Sequence, residues 1–170
     1  MEKQRKQIRL KNYDYSKSGL YFVTICTENR SCIFGDIIVG ADPRVRPSMI
    51  LNEFGTIVDE KINELKKYKN VDVDIYCVMP NHVHLILIIF LKFGSTQGST
   101  PTVGEYIKRL KTLTTYIYIK NIKNNNWLSF EKRLWQRNYY EHIIRNEIEL
   151  NKIRQYIINN PLFWNQDINY

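Results

Sequence analysis

The segment VDVDIYCV-MPN-HVHLILI, residues 71–88, decides the fold of this chain. Its first half begins with alternating apolar and polar residues, which is typical of a half-buried strand, and in its second half a continuous apolar run follows the two histidines, which is typical of a buried strand. Pro80-Asn81 lies between them and favours a tight connection, so we predict two adjacent antiparallel strands. Because alternate strand residues share a face, His82 and His84 should project together while Val83 packs into the core.

The rest of the chain predicts a single α+β domain. Further strands are expected over residues 20–27, 32–39 and 134–144, with helices over 52–70, 102–123 and 146–159. The order of strand, helix, two strands, helix, strand and helix fits a ferredoxin-like two-layer sandwich, in which helices cover one or both faces of an antiparallel sheet. Residues 40–47 and 94–101 read as loops, residues 1–18 as a basic N-terminal arm, 19–164 as the domain and 165–170 as a C-terminal tail.

Charge favours a polyanionic partner. The chain has 25 Lys and Arg against 17 Asp and Glu, a net charge of +8, which indicates nucleic acid first and an anionic membrane surface second. Twelve tyrosines and three tryptophans add rings on which unpaired bases could stack. A merely basic protein is the alternative, since each of these charges can be an ordinary solvated side chain. The candidate DNA contacts are Arg5, Lys6, Arg9, Lys11, Lys108, Arg109, Lys111, Lys132, Arg133 and Arg137, with Lys108 and Lys111 expected on the outer side of their helix.

Three cysteines and the absence of an apolar leader favour a cytoplasmic protein. Cys26, Cys32 and Cys77 have no metal-knuckle spacing, and Cys26 and Cys77 lie in apolar runs where a buried free thiol is the ordinary explanation. Residues 1–11 are too polar for a signal peptide. The longest apolar run, residues 85–91, is too short to span a bilayer.

Two groups of residues suggest a site. His82 and His84 are two of the three histidines, and paired imidazoles form half of a divalent-metal site; satisfied surface histidines, or a zinc site completed by distant cysteines, are the alternatives. Tyr156 and Asn160 are four residues apart on a predicted helix, about 6 Å along one face. A tyrosine can attack phosphorus, and an amide oxygen suits Mg²⁺ or Mn²⁺. Alternatively, Tyr156 packs at the edge of the core and Asn160 caps the helix before Pro161, which disfavours helical geometry at Asn160.

Three motifs carry a resemblance to a known family. PNHVH at residues 80–84, WQRNYYEHIIRN at 135–146 and YIINNP at 156–161 occur in that order, and the opening segments 8–15 and 19–27 look similar too. From about residue 8 to residue 164 the chain resembles the REP-associated tyrosine transposases, which are single-tyrosine transposases of the HUH endonuclease superfamily.

This resemblance implies a function. His82, His84 and Asn160 would bind Mg²⁺ or Mn²⁺, Tyr156 would be the nucleophile, and His142 would support the site or stabilise a strand end. The protein would be a hairpin-specific endonuclease and strand transferase for single-stranded DNA, acting through a 5′-phosphotyrosine intermediate. It would be a monomer or homodimer of the bacterial cytoplasm, associated with the nucleoid when bound to DNA, with no membrane partner and no small-molecule cofactor.

Two other functions remain open. A DNA-hairpin binding protein that has lost catalysis would not need the set of His82, His84, Tyr156 and Asn160. A zinc or manganese hydrolase for a small substrate is disfavoured because no acidic residue accompanies the histidines in their motif.

Overall fold

The structure is a computed structural model that describes residues 18–39, 46–90 and 101–166. The predicted basic arm lies outside this part of the chain except for Ser18, as do residues 40–45 and most of the predicted linker at 94–101. The elements are β1 (Gly19–Cys26), β2 (Gly35–Ile38), β3 (Ser48–Leu51), α1 (Glu53–Leu65), β4 (Val71–Val78), β5 (His82–Ile89), α2 (Val103–Asn125), β6 (Tyr140–Ile144) and α3 (Glu147–Asn159), with short 3₁₀ helices at Glu28–Arg30 and Asn160–Gln166.

The main sheet has the strand order β4-β5-β1-β6, and each neighbouring pair is antiparallel. If the β2–β3 hairpin is set aside, the element order is that of a ferredoxin-like sandwich followed by a third helix. The predicted α+β architecture is therefore confirmed. The antiparallel pair predicted over residues 71–88 is also confirmed, as β4 and β5.

Helices cover both faces of the sheet. Alternate β5 residues, Val83, Leu85 and Leu87, belong to the large core that includes the buried residues of α1 and α2. On the opposite face, a small core joins Phe22, Ile86 and Ile144 to Ile157 of α3. Because strand side chains alternate between faces, His82 and His84 lie on the same face as α3.

The helix predicted over residues 52–70 ends earlier, at Leu65. Asn52 is its N-cap as predicted, with its Oδ1 accepting the Gly55 N–H at 2.9 Å. After Leu65 the chain tightens into i→i−3 hydrogen bonds, of which the Tyr68 N–H to the Leu65 carbonyl is the last, at 3.0 Å. Asn70, at φ +69°, then reverses the chain. The prediction that this helix runs to Asn70 was wrong because apolar residues at helical spacing continue as far as Tyr68, beyond the last helical residue.

The short strand predicted within residues 32–39 is β2, and it pairs with β3 in a separate two-stranded sheet. The sequence did not predict β3, because it is four residues long and directly follows Pro47. β6 is shorter than the predicted 134–144. Before Tyr140 the chain joins the sheet through an isolated bridge between Trp135 and Thr27, the residue that follows β1, and through the Gln136 N–H, which donates to the Cys26 carbonyl at 2.9 Å.

Two further findings concern the helices and the thiols. The helices within residues 18–39, 46–90 and 101–166 include none long and apolar enough to cross a membrane.

The three cysteines are free thiols; Cys26 and Cys77 are half-buried and Cys32 is exposed. Burial raises the pKa of the Cys77 thiol to about 11, so this thiol is protonated at neutral pH.

Candidate active site

The two histidines of β5 meet at their Nε2 atoms. His82 Nε2 and His84 Nε2 are 3.0 Å apart, and both side chains are buried. The rings cross at 69° with centroids 4.5 Å apart. Val83, which lies between them, packs into the large core and holds this part of β5 in place. The positions of both imidazoles are fixed as a result.

Asn81 determines which nitrogen of His82 carries the proton. The Asn81 amide Nδ2 donates to the Arg30 carbonyl at 3.2 Å, which leaves Oδ1 facing His82 Nδ1 at 2.7 Å. An amide oxygen is only an acceptor, so Nδ1 of His82 carries a proton, and in the neutral ring Nε2 then keeps its lone pair. The Asn81 backbone is held as well, because its carbonyl accepts both the N–H and the hydroxyl of Thr27, at 2.9 and 3.0 Å.

Thr24 contacts the outer nitrogen of His84. It lies opposite His84 in the β1–β5 register, and its Oγ1 is 2.7 Å from His84 Nδ1. A hydroxyl can donate or accept, so Thr24 is compatible with either neutral form of His84. Thr24 and Asn81 were missed as site residues by sequence reasoning. The available signals were a polar residue inside the apolar run of β1 and an amide directly before His82.

The donor set fits a divalent cation. When His84 Nδ1 donates to Thr24, the two Nε2 lone pairs face each other at 3.0 Å, which is favourable only with a proton or a cation between them. Adjacent ligands of an octahedral ion with bonds of 2.0–2.1 Å are also about 3.0 Å apart. Outer-nitrogen hydrogen bonds of this kind orient metal-binding histidines. The described residues contain no cluster of three or more His, Cys, Asp or Glu side chains suited to a metal, so among these residues a third protein ligand would have to be of another type.

Tyr156 of α3 faces the histidine pair. Its Oη is 3.1 Å from His84 Nε2, and its ring packs edge-on against Phe22 with centroids 6.0 Å apart. The side chain is 43% exposed, so the phenol is accessible to a large substrate. The residue that follows it, Ile157, is fully buried in the small core and holds this turn of the helix against the sheet.

Two further polar contacts attach α3 to the sheet. The Arg154 guanidinium donates to both carboxylate oxygens of Asp74 on β4, through Nε and Nη2, each at 2.7 Å. At the other edge, His142 Nε2 of β6 is 2.7 Å from Glu149 Oε1, while Glu149 Oε2 accepts the Arg145 N–H at 2.8 Å. These two hydrogen bonds to its carboxylate, first that of Arg145 and then that of His142, lower the pKa of Glu149. His142 thus contacts the helix that carries Tyr156.

Asn160 and Trp164 lie just beyond α3. Asn160 caps the helix with φ −56° and ψ −42°, so the chain keeps helical geometry although Pro161 follows, and its side chain is buried. The expected departure of Asn160 from that geometry was wrong, because a 3₁₀ helix continues from it. Trp164 stacks on His82 with ring centroids 6.0 Å apart and an interplanar angle of 24°. Trp164 was not predicted as part of the site.

Nine of the ten predicted DNA contacts fall into three groups. Arg5, Lys6, Arg9 and Lys11 lie outside the described residues. Lys108, Lys132 and Arg137 are exposed; Arg109 is exposed as well but lies over the Tyr68 ring at 4.2 Å, and Arg133 contacts Glu28 at 3.3 Å.

The predicted outer position of Lys111 was wrong. This side chain is half-buried, and its Nζ donates to the carbonyls of Gln136 and Asn138 at 2.8 and 3.0 Å. Burial lowers its pKa to about 8. Lys111 therefore anchors the segment between α2 and β6.

Comparison with known proteins places this domain among the transposases. A family model described as "Transposase IS200 like" matches residues 20–160, and the chain belongs to that family. A Haemophilus influenzae protein without an assigned function is 37% identical over 96% of this chain and 91% of its own length. A second protein of that organism, named as a candidate REP-associated tyrosine transposase, is 24% identical over 90% of this chain and 77% of its own length. The resemblance inferred from the motifs is thereby confirmed.

Solved structures show the same fold. A REP-associated tyrosine transposase bound to a REP hairpin superimposes with a TM-score of 0.53 at 19% identity, covering 95% of this chain and 73% of that chain. A candidate transposase from Deinococcus radiodurans gives a TM-score of 0.50 at 19% identity, covering 94% of this chain and 97% of that chain.

Proposed function

We propose that this protein cleaves and rejoins single-stranded DNA beside a hairpin, with Tyr156 as the nucleophile. The observation that carries the proposal is the 3.1 Å contact between the Tyr156 phenol oxygen and His84 Nε2, at the point where the two histidines meet. A nucleophile attached to a helix and a pair of metal-type ligands on a sheet thus converge on one small volume. A protein that only binds DNA does not need this convergence.

The chain's own residues have separable roles in the reaction. His82, His84 and Asn160 would hold Mg²⁺ or Mn²⁺, which when bound polarises a non-bridging phosphate oxygen. The Tyr156 oxygen gives up its proton and attacks phosphorus, the bond from phosphorus to the 3′-oxygen breaks, and that oxygen leaves as a 3′-hydroxyl after gaining a proton. The 5′-phosphotyrosine bond keeps the energy of the broken bond, so another 3′-hydroxyl can reverse the step and join strands.

The Tyr156–His84 contact shows where the phenol oxygen lies, and it does not identify the group that accepts the phenol proton. The nitrogen that faces the phenol is the one that would bind the cation, so it is not available as a proton acceptor in the loaded site. Water or a phosphate oxygen of the substrate would then take the phenol proton. What the sheet and helix provide is placement of the phenol oxygen beside the ligand-binding point.

The proposed substrate is a DNA hairpin with an adjacent single strand. The relative of known structure is bound to a REP hairpin, and the net charge of +8 suits a polyanion. The phenol is half-exposed but lies against the sheet, so an unpaired strand can bring its phosphate to Tyr156 more easily than a duplex can. A small-substrate metallohydrolase has less support, because the described residues place no acidic metal cluster with the histidines.

The test is detection of a covalent protein–DNA adduct. Hairpin DNA with single-stranded flanks is labelled at its 3′ end in one sample and at its 5′ end in another, incubated with Mn²⁺ and run on a denaturing gel. The 3′ label should migrate with the protein and the 5′ label should be released with a 3′-hydroxyl. Tyr156→Phe should form no adduct, while the matched control Tyr116→Phe, on the exposed side of α2, should behave as wild type.

Two results would contradict the assignment. An adduct that persists in Tyr156→Phe means that another tyrosine attacks, Tyr139 or Tyr140 being the first to examine. His82→Ala should abolish the adduct and keep hairpin binding. Loss of hairpin binding in that variant would show that the histidines are structural.

A further inference from the structure

A polar pocket lies beside the histidine pair on the α3 face of the sheet. It has a volume of about 260 Å³ and is lined by Thr24, Cys26, Arg30, Gln136, Asn138 and Tyr140, together with Tyr139. The lining contains one cation, two amides and two phenol rings, and no carboxylate. This composition suits a neutral or anionic organic group and does not suit a metal ion.

The pocket shares a wall with the proposed site of cleavage. His84, Thr24 and Tyr140 form one row across β5, β1 and β6 in the strand register. Thr24 both contacts His84 Nδ1 at 2.7 Å and lines the pocket. Strands are spaced 4.7–4.9 Å apart, so Tyr140 lies about 10 Å from His84 along this row. One or two nucleotides of an extended strand cover that distance.

The outer wall of the pocket is fixed although it lies outside regular structure. The Gln136 N–H donates to the Cys26 carbonyl at 2.9 Å, and Lys111 Nζ donates to the Gln136 and Asn138 carbonyls. These contacts use the backbone of the segment. Within the described part of the chain, the amide side chains of Gln136 and Asn138 hydrogen-bond to no other protein group.

The geometry points to a binding site for one unpaired nucleobase next to the scissile phosphate, an inference that rests on the proposed function. The Tyr140 ring is 54% exposed and offers a stacking surface. The amides of Gln136 and Asn138 carry both donors and acceptors and match the edge of adenine best. Arg30, exposed at the rim, suits the adjoining phosphate. The pocket would therefore select the base at a single position beside the cleavage point.

The experiment measures base preference independently of cleavage. Tyr156→Phe protein is mixed with a pool of DNA hairpins that carry six randomised unpaired nucleotides on either side of an imperfect stem, and the bound fraction is sequenced. We expect a preference of about tenfold at one unpaired position. Adding Asn138→Leu should reduce the preference at that position to near unity and leave preferences elsewhere unchanged. Asn124→Leu, at the exposed end of α2, is the matched control.

Gln136→Met, on the same wall, gives a second reading if Asn138→Leu does not fold. Unchanged base preferences in both variants, with adduct formation by the wild type, would overturn the pocket and leave the proposed function standing. A base preference that depends on Asn138, without any adduct in the wild type, would refute the cleavage chemistry and support the pocket. Neither preference nor adduct would refute both.

Discussion

Replacing Thr24 by valine should weaken the binding of Mn²⁺ without unfolding the protein. Valine has nearly the shape of threonine but no acceptor for the Nδ1–H of His84, which Thr24 Oγ1 contacts at 2.7 Å in a buried setting. A cation at Nε2 requires the proton on Nδ1. Leaving that buried donor without an acceptor costs about 1–3 kcal/mol, and loss of such outer hydrogen bonds typically weakens metal binding by about 10- to 100-fold.

The metal-free protein should respond differently to the same change. His84 can carry its proton on Nε2 instead and donate it to the lone pair of His82, 3.0 Å away. Nδ1 of His84 then becomes an acceptor without a donor, so the free energy of unfolding without metal should fall by about 1 kcal/mol, near the lower end of the cost for an unsatisfied buried group. The two measurements together separate a metal-orienting role from a role in packing.

The assay is calorimetric titration of Mn²⁺ into wild type, Thr24→Val and Thr24→Ser, with urea unfolding of the metal-free proteins alongside. Thr24→Ser keeps the hydroxyl and should bind Mn²⁺ nearly as the wild type does. Binding by Thr24→Val within twofold of wild type would refute the reasoning, as would a loss in Thr24→Ser equal to that in Thr24→Val.

Three other changes test the surrounding framework. The pKa of Lys111 is about 8 in the fold and near 10.5 in the unfolded chain, so the unfolded chain binds more protons between these values. The difference in free energy of unfolding between wild type and Lys111→Met should therefore rise from pH 8 to pH 10, by up to about 1.4 kcal/mol per pH unit. Urea titrations at several pH values measure this difference. A difference that does not change with pH would contradict the buried cation. Asp74→Asn, which weakens the contact with Arg154, should slow single-turnover adduct formation by up to about 100-fold while leaving Mn²⁺ affinity unchanged; an unchanged rate would show that the contact does not position α3. Ile157→Ala should cost about 2–5 kcal/mol in chemical denaturation, against under about 0.5 kcal/mol for the exposed Ile158→Ala, and equal losses would exclude Ile157 as the anchor.

The strands that the sequence located best are the longest ones. β1, β4 and β5 each have eight residues, and their side-chain periods are visible without knowledge of their partners. β3 has four residues and is paired with β2 in the two-stranded sheet. Such short pairings depend on contacts between distant segments, which a local pattern does not record.

The sequence could predict those pairs of site residues that lie on the same strand or along the same stretch of helix. His82 and His84 share a strand face, and Tyr156 precedes Asn160 by one helical turn. Thr24 became part of the site through the register of β1 against β5, and Asn81 through the orientation of its amide. Neither property can be read from spacing.

Lys111 shows a different limit of pattern reading. The ammonium group of a lysine beside buried helix positions is ordinarily solvated. Here it donates instead to the carbonyls of Gln136 and Asn138, which lie in an irregular segment, so the side chain is half-buried.

The two halves of the proposed site differ in how firmly they are held. The histidines sit on β5, a central strand hydrogen-bonded on both edges, whereas α3 rests on one fully buried residue of its own, Ile157, and on contacts that include the Arg154–Asp74 pair. Helices with so little burial open at a lower free energy than central strands. Amide hydrogens of α3 should thus exchange with solvent well before those of β5. Under the proposed function, a strand of DNA joined to Tyr156 would accordingly travel with the more easily opened element while the imidazoles stay in place, and such movement would let that strand meet a new 3′-hydroxyl.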